Sequence, residues 1–367
     1  MIEVPYVNLS AQWNEERDDL LPIIESILES GQYVGSKEIE QLESRIEKSF
    51  GVKHAITLNS GTDALVLALI ALGVGPNDEV ITPPNSFIAS TAAIAKVGAK
   101  PVFVDVHADQ NIDPNLIEES ITKKTKAVMP VHLTGRVSDM EMIMDIANHN
   151  DILVVEDAAQ AAGARLNDRI AGSWGSAGCF SAHPLKNLNA CGDAGFITTN
   201  DDEIAKKVHL MRNHGLVDRE TVNEFGFVSR MDSLQAAILK FRLAHLKDIV
   251  EKRRNNVSIY RSILDPNFVF IPADRPEEFN TWHTFVIQVE KRDELRAFLA
   301  SRNIETAINY PVPIHLQPAC RYLGYGPGDF PVTEYQADRI LSLPVNQSLT
   351  NDQVCLVAET VNKFYGA

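Results

Sequence analysis

A chain of 367 residues with 45% hydrophobic and 23% charged content suits a large folded unit joined to a smaller one, with the makeup of an ordinary globular protein. A net charge of −15 argues against general binding to nucleic acid or an anionic membrane, so a phosphate-bearing substrate must be met by local cations. The four cysteines, Cys179, Cys191, Cys320 and Cys355, form no C-x-x-C pair, which points to neither a zinc site nor a disulfide framework and fits a reducing cytoplasm.

In chain order, the start, Met1-Ile2-Glu3-Val4-Pro5, has no basic region followed by an apolar core, so no signal peptide is expected. Residues 1 to 50 read as helical and partly exposed. Ile39, Leu42, Ile46 and Phe50 recur at helical spacing behind a cap at Ser36, and Gly31-Gln32-Tyr33-Val34-Gly35 breaks the pattern just before. Apolar strand-like runs at 55–58, 79–82, 102–106, 127–131, 152–156 and 196–199 then alternate with helical segments. The longest apolar run, residues 64–74, falls far short of the roughly 20 residues that span a bilayer and reads as a buried helix. The alternation predicts βαβ units: an α/β fold with a mostly parallel sheet flanked by helices.

Helices are expected at 202–213 and 231–266, the second long enough to carry the chain from a large domain (1–245) into a small C-terminal α/β domain (246–367). There, 281–289 and 304–308 read as extended and 292–301 and 352–365 as helical. No G-x-G-x-x-G follows the first strand, and Gly73-Val74-Gly75 follows a helix instead, which disfavours a nicotinamide enzyme.

Ligands in such sheets sit beyond the carboxyl ends of the strands, where the chemistry-bearing residues also fall. Ser60-Gly61-Thr62 opens the apolar helix and offers free backbone N–H groups to a phosphate. The run at 152–156 ends in Glu156-Asp157-Ala158-Ala159-Gln160, and the loop holding His132 lies at another strand end. Further on, Phe180-Ser181-Ala182-His183-Pro184-Leu185-Lys186-Asn187-Leu188 sets a lysine between a short apolar strand and a run of small residues. Phosphate cradle, strand-end acid and lysine, in that order, are the parts of a pyridoxal phosphate (PLP) site.

Together with Asn213-His214-Gly215 and Asn309-Tyr310-Pro311-Val312-Pro313-Ile314-His315, these motifs make the chain resemble the DegT/DnrJ/EryC1/StrS family of PLP-dependent sugar aminotransferases, fold type I, over almost its whole length. The resemblance implies a set of roles. Lys186 would carry the cofactor covalently and then move the proton, whereas a related branch of sugar dehydratases has histidine there. Asp157 rather than Glu156 would pair with the pyridine nitrogen, and Gln160 with the phenolic oxygen. Ser60, Gly61, Thr62 and Ser181 would hold the phosphate, and Phe87 would stack on the ring. His183 would shape the lysine loop. Tyr310, His315, His214 and Arg230 would meet the sugar.

The resemblance further implies a homodimer with sites at its interface and small-molecule substrates: an amino donor such as glutamate and a keto sugar, nucleotide-linked and ketonic at C3 or C4. The product would be an amino sugar for a cell-surface polysaccharide. An aminocyclitol aminotransferase acting on a keto-inositol and a non-catalytic PLP-binding regulator are the alternatives. One departure stands out. Where the family has an asparagine reaching across the dimer to the phosphate, this chain has Val228, which cannot donate a hydrogen bond, leaving Ser229 and Arg230 as substitutes.

Overall fold

The structure, a computed structural model, describes residues 3–366; Met1 and Ile2 of the expected large domain and Ala367 of the small one lie outside the described residues. Helix α1 (Leu9–Ser30) begins at Asn8, whose side chain accepts the Ala11 N–H, and stops at Gly31. Helix α2 (Lys37–Phe50) is capped by Ser36 and buries the four apolar positions that the spacing marked.

Strand β1 (His54–Leu58) runs through the cap Ser60 into α3 (Gly61–Ala71), which is apolar on nearly every side because it is enclosed. Then come β2 (Glu79–Thr82), α4 (Ile88–Lys96), β3 (Lys100–Phe103), β4 (Thr125–Val128), α5 (Met140–His149) and β5 (Leu153–Asp157). A short hairpin, β6 (Arg165–Leu166) and β7 (Arg169–Ile170), precedes β8 (Ala177–Ser181), β9 (Gly195–Thr199) and α6 (Asp202–Met211).

The seven-stranded sheet has the order β1-β9-β8-β5-β4-β2-β3. Neighbours from β8 to β3 are parallel, and β9 alone runs antiparallel to its two partners. One apolar core, with Leu42, Ile46, Ile143 and Leu239, covers one face; another, with Leu65, Leu69, Ile94 and Val208, covers the other.

Helix α7 (Ser233–Ile263) is about 47 Å long at 1.5 Å per residue and links two cores. Leu239, Leu243 and Leu246 belong to the sheet's core, while Val257 and Tyr260 belong to a second one. The second unit is built from β10 (Val269–Phe270), β11 (Glu278–Phe279), β12 (Phe285–Val289), α8 (Arg292–Ala300), α9 (Pro331–Ala337), β13 (Ile340–Leu343) and α10 (Asn351–Tyr365). Its three-stranded antiparallel sheet is β10-β12-β13, while β11 pairs with β6 and stitches the two units together.

Three expectations change here. The strand expected from residue 281 starts only at Phe285, because the Thr281 N–H is taken by the Gly135 carbonyl and Trp282 has φ 48°. The stretch 304–308 makes only single bridges, Ile304 with Val4 and Ala307 with Ser342. Val4, expected in the large domain, packs into the second core.

The antiparallel β9 brings three chain segments together. Its first residue, Gly195, lies in register with both Ser181 and Leu58, so the ends of β8 and β1 and the start of α3 meet at one point. They meet without room for a side chain. A Cβ on Gly195 would lie 2.4 Å from the Ser60 carbonyl carbon, and one on Gly61 would lie 2.6 Å from Ser181 Cβ. Gly195→Ala is therefore expected to destabilise the cofactor-free protein by about 1–3 kcal/mol through overpacking against backbone, measured by urea unfolding. An unchanged unfolding midpoint would mean that this junction is loose.

Candidate active site

The convergence point is one end of a cavity of about 420 Å³ between the two units. Ser60, Gly61, Thr62, Ser181, Asp193 and Ala194 line that end. Ser60 Oγ accepts the Asp63 N–H at 3.1 Å, so the cap is satisfied internally, while Gly61 and Thr62 open the helix with N–H groups that have no intrahelical partner. Gly61 and Gly195 let these backbones pack against one another with no room for a Cβ. Free donors, a helix N-terminus and close backbone approach suit a phosphate.

Deeper in the cavity, β5 delivers two adjacent acids with different fates. Glu156 is fully buried and completely engaged: Oε1 accepts from the N–H groups of Trp174 and Gly175 (2.7 and 2.8 Å), and Oε2 from Gly172 N (2.7 Å) and His132 Nε2 (2.9 Å). The Ser138 N–H donates to His132 Nδ1 (3.2 Å), which leaves Nε2 as the nitrogen carrying the proton toward Glu156. Glu156 thus ties β5 to the loop before β8 and has nothing left for a ligand. His132, whose loop the sequence placed at the site, is occupied in the same network.

Asp157, one residue on, lines the cavity. It accepts only from Ser90 Oγ (2.7 Å) and Ala159 N (3.1 Å). Burial raises its pKa, against the hydrogen bond from Ser90, the Ala159 N–H and the charge of Lys186. A carboxylate held this way has strong reason to take a cationic N–H partner.

Lys186 sits in the same wall, on a loop fixed from three sides. Its N–H donates to the His183 carbonyl (2.8 Å), Asn187 Nδ2 to the Thr281 carbonyl (2.9 Å), and Asn189 Nδ2 to Gln12 Oε1 on α1 (3.0 Å) and the Pro184 carbonyl (2.7 Å). Burial pulls the Lys186 amine from 10.5 down to about 8, and the Asp157 carboxylate keeps it from falling further. Near neutrality a useful fraction is therefore the free amine, the form that attacks an aldehyde.

Gln160 is oriented by the Thr134 N–H, which donates to its Oε1 at 2.8 Å, so its NH₂ is left for a ligand. Phe87, half-exposed at the mouth, lies 5.6 Å from Tyr310 with a 43° tilt, and both rings line the cavity. Burial pushes the Tyr310 phenol up to about 12. These groups fit PLP: phosphate donors at one end, an acid and an amide for the ring, a flanking aromatic and a lysine for the aldehyde.

Three expected substrate residues are not brought to this cavity within the chain. His315 is buried behind it, bonded to Glu334 (3.1 Å) and packed against Phe330. His214 and Arg230 are exposed on the segment after α6, with Arg230 Nη1 on Asn213 (3.2 Å). Ser229 is unavailable as a substitute for the missing asparagine, because it is fully buried with its hydroxyl on Asn59 (3.1 Å). Sequence reading gave no role to Tyr6, Arg253, His283, Asn346 and Gln347, all cavity residues. Among the described residues, no cluster of His, Cys, Asp or Glu could hold a metal and no helix is long and apolar enough to cross a membrane.

The depressed amine sets a pH dependence. Capture of PLP by the cofactor-free protein is expected to accelerate as pH rises through about 8, as Lys186 loses its proton, and then to level off. In Asp157→Asn the midpoint is expected to move to lower pH, since the charge that raises it is gone. Stopped-flow absorbance checks both; a midpoint near 10.5 in both proteins would mean that Lys186 is solvated.

The model of the DegT/DnrJ/EryC1/StrS aminotransferase family matches residues 14–362. A dTDP-3-amino-3,4,6-trideoxy-alpha-D-glucose transaminase of Streptomyces venezuelae is 40% identical, with 98% of this chain and 96% of that protein covered. A pleiotropic regulatory protein of Geobacillus stearothermophilus is also 40% identical, with 99% of each covered. Among solved structures, that of S. venezuelae DesV in complex with a ketimine intermediate superposes with a TM-score of 0.97 at 38% identity, covering all of both chains. The chain belongs to the DegT/DnrJ/EryC1/StrS family and is a PLP-dependent aminotransferase of fold type I.

Proposed function

We propose that this aminotransferase moves an amino group from glutamate to the C3 ketone of a nucleotide-linked hexose. The observation that carries the reading is the near-full-length similarity to a transaminase named for a dTDP-3-amino sugar, joined to a cavity lined by Lys186, Asp157, Gln160 and the Ser60-Gly61-Thr62 turn. A regulator that only binds the cofactor would have no use for an amine lowered to about 8 beside an unneutralised carboxylate.

In this reading the N–H groups of Gly61 and Thr62 and the hydroxyls of Ser60 and Ser181 hold the phosphate. Phe87 lies against the ring, Gln160 donates to the phenolic oxygen and Asp157 receives the pyridinium N–H. When bound, PLP supplies the electron sink that stabilises negative charge at the substrate carbon. Lys186 would move a proton between the substrate carbon and the cofactor C4′ carbon, taking it from the donor carbon to C4′ in the first half of the cycle and from C4′ to the sugar carbon in the second, for which an amine near neutrality is suited. Tyr310, protonated at working pH, offers an O–H at the mouth where the sugar enters.

We also propose that a second copy completes the site. The segment after α6 exposes Val217, Val222, Phe227, Val228 and Phe225, the last 97% exposed, an apolar surface that a monomer rarely leaves open. Arg230, at its end, is then the cation available to the neighbouring phosphate where the family's asparagine is missing.

The test is a panel of dTDP- and UDP-linked 3-keto and 4-keto sugars and a keto-inositol offered to the pyridoxamine form, with return of the aldehyde form followed by absorbance. A 3-keto nucleotide sugar is expected to exceed its 4-keto counterpart in kcat/KM by about tenfold or more, the scale set by roughly 1.4 kcal/mol of differential contact. Turnover of a keto-inositol alone would overturn the reading.

A further inference from the structure

Arg253 projects from the middle of α7 into the same cavity and is only 7% exposed. Its Nη1 donates to the carbonyls of Trp282 and His283 (3.2 and 3.0 Å) and its Nη2 to Gln347 Oε1 (3.0 Å), while its Nε–H is buried without an acceptor. The other buried arginines among the described residues meet carboxylates: Arg136 that of Asp274 at 2.9 Å, Arg242 that of Glu16 at 2.6 Å, and Arg292 that of Asp293 at 2.6 Å. Arg253 meets none among the described residues, in a chain with 49 acids to 34 bases.

The cavity's carboxylates, Asp157 and Asp193, form no ion pair with it, and Tyr6, His283, Asn346 and Gln347 do not supply the charge either. Tyr6 is held protonated, its pKa raised by burial. His283 is kept neutral, its pKa driven well below the usual range by burial and by the charges of Lys186 and Arg253. Asn346 and Gln347 are uncharged. Burial lowers Arg253 itself only to about 10, so it stays cationic near neutrality. A buried guanidinium partnered by neutral acceptors alone is poorly compensated for its lost hydration and will favour an anion that reaches it.

We infer that Arg253 is the subsite for a carboxylate of the small amino donor, whose charge supplies the counter-ion that the protein withholds. The inference rests on the proposed reaction only in taking the donor to be an amino acid. Size separates this from the other anion at hand, the diphosphate of a nucleotide sugar. A cavity of about 420 Å³ admits the cofactor and an amino acid together, but a nucleoside diphosphate in addition must extend out past Phe87. Arg253 lies inside with His283 and Gln347, not at that mouth. Placing the cation within reach of a small dicarboxylate gives the first half-reaction an anchor that the sugar does not need.

The probes are glutarate, an unreactive dicarboxylate; glutaramide, its neutral counterpart; and UDP, each titrated calorimetrically into the PLP-loaded protein. Wild type is expected to prefer glutarate to glutaramide by about 30-fold, the size of one charge-assisted hydrogen bond. Arg253→Gln is expected to erase that preference, with UDP affinity held within about threefold. Because Arg253 also braces the Trp282 and His283 carbonyls, Gln347→Glu serves as a second variant. It places a carboxylate on Nη2, leaves that brace intact, and is expected to weaken glutarate by a similar factor. Glutarate affinity unchanged in Gln347→Glu, or a loss falling on UDP instead, would overturn the assignment. Failure of the sugar panel with Arg253-dependent glutarate binding intact would sink only the acceptor reading.

Discussion

The Asp157 carboxylate and the Lys186 amine are placed in one enclosed cavity with too few other partners to satisfy either. Burial raises the acid and lowers the amine, and each charge moderates the shift of the other. The pair is poorly compensated in the protein alone, and a ligand offering a pyridinium N–H to one and an aldehyde to the other relieves both. The scaffold serves to hold this arrangement. Glu156 locks β5 to the loop before β8 so that Asp157 need not, and α1 braces the lysine loop through Gln12 and Asn189.

The antiparallel β9 is the topological device behind the phosphate end. With β9 between β1 and β8, both of those strands end at the same edge, and the missing side chains let Gly195 pack against Ser60 and Gly61 against Ser181. A parallel strand there would end, not begin, at that edge and would place a different residue type against the helix start. Fold and site are therefore one problem: the backbone packing that makes the sheet also makes the donor cradle.

Much of this was legible in the sequence because it is local. The S-G-T turn, the strand-end acids and the lysine stretch each fall within a few consecutive residues whose order mirrors the strand ends of an α/β sheet. Glu156 and Asp157 were told apart only by the family's pattern; what separates them physically is the alternation of side chains along β5, which sends one to the backbone donors of 172–175 and the other into the cavity. Arg253 was invisible for the opposite reason. In Glu251-Lys252-Arg253-Arg254 it reads as a solvated charge run on a long helix, and only the Trp282–His283 carbonyls, 29 and 30 residues away, make it a buried cation. His315 is the reverse case, since its motif neighbour Tyr310 reaches the cavity while Glu334 and Phe330 hold the histidine behind it within the chain.

The account stands on Lys186 being the amine that the fold prepares. Reducing the PLP-loaded protein with borohydride fixes the cofactor to the amine it occupies, and peptide mass spectrometry then locates it. The label is expected on Lys186, with the modified peptide absent from protein treated before PLP is added. A label on any of the other lysines, with Lys186 recovered unmodified, would contradict the account at its centre.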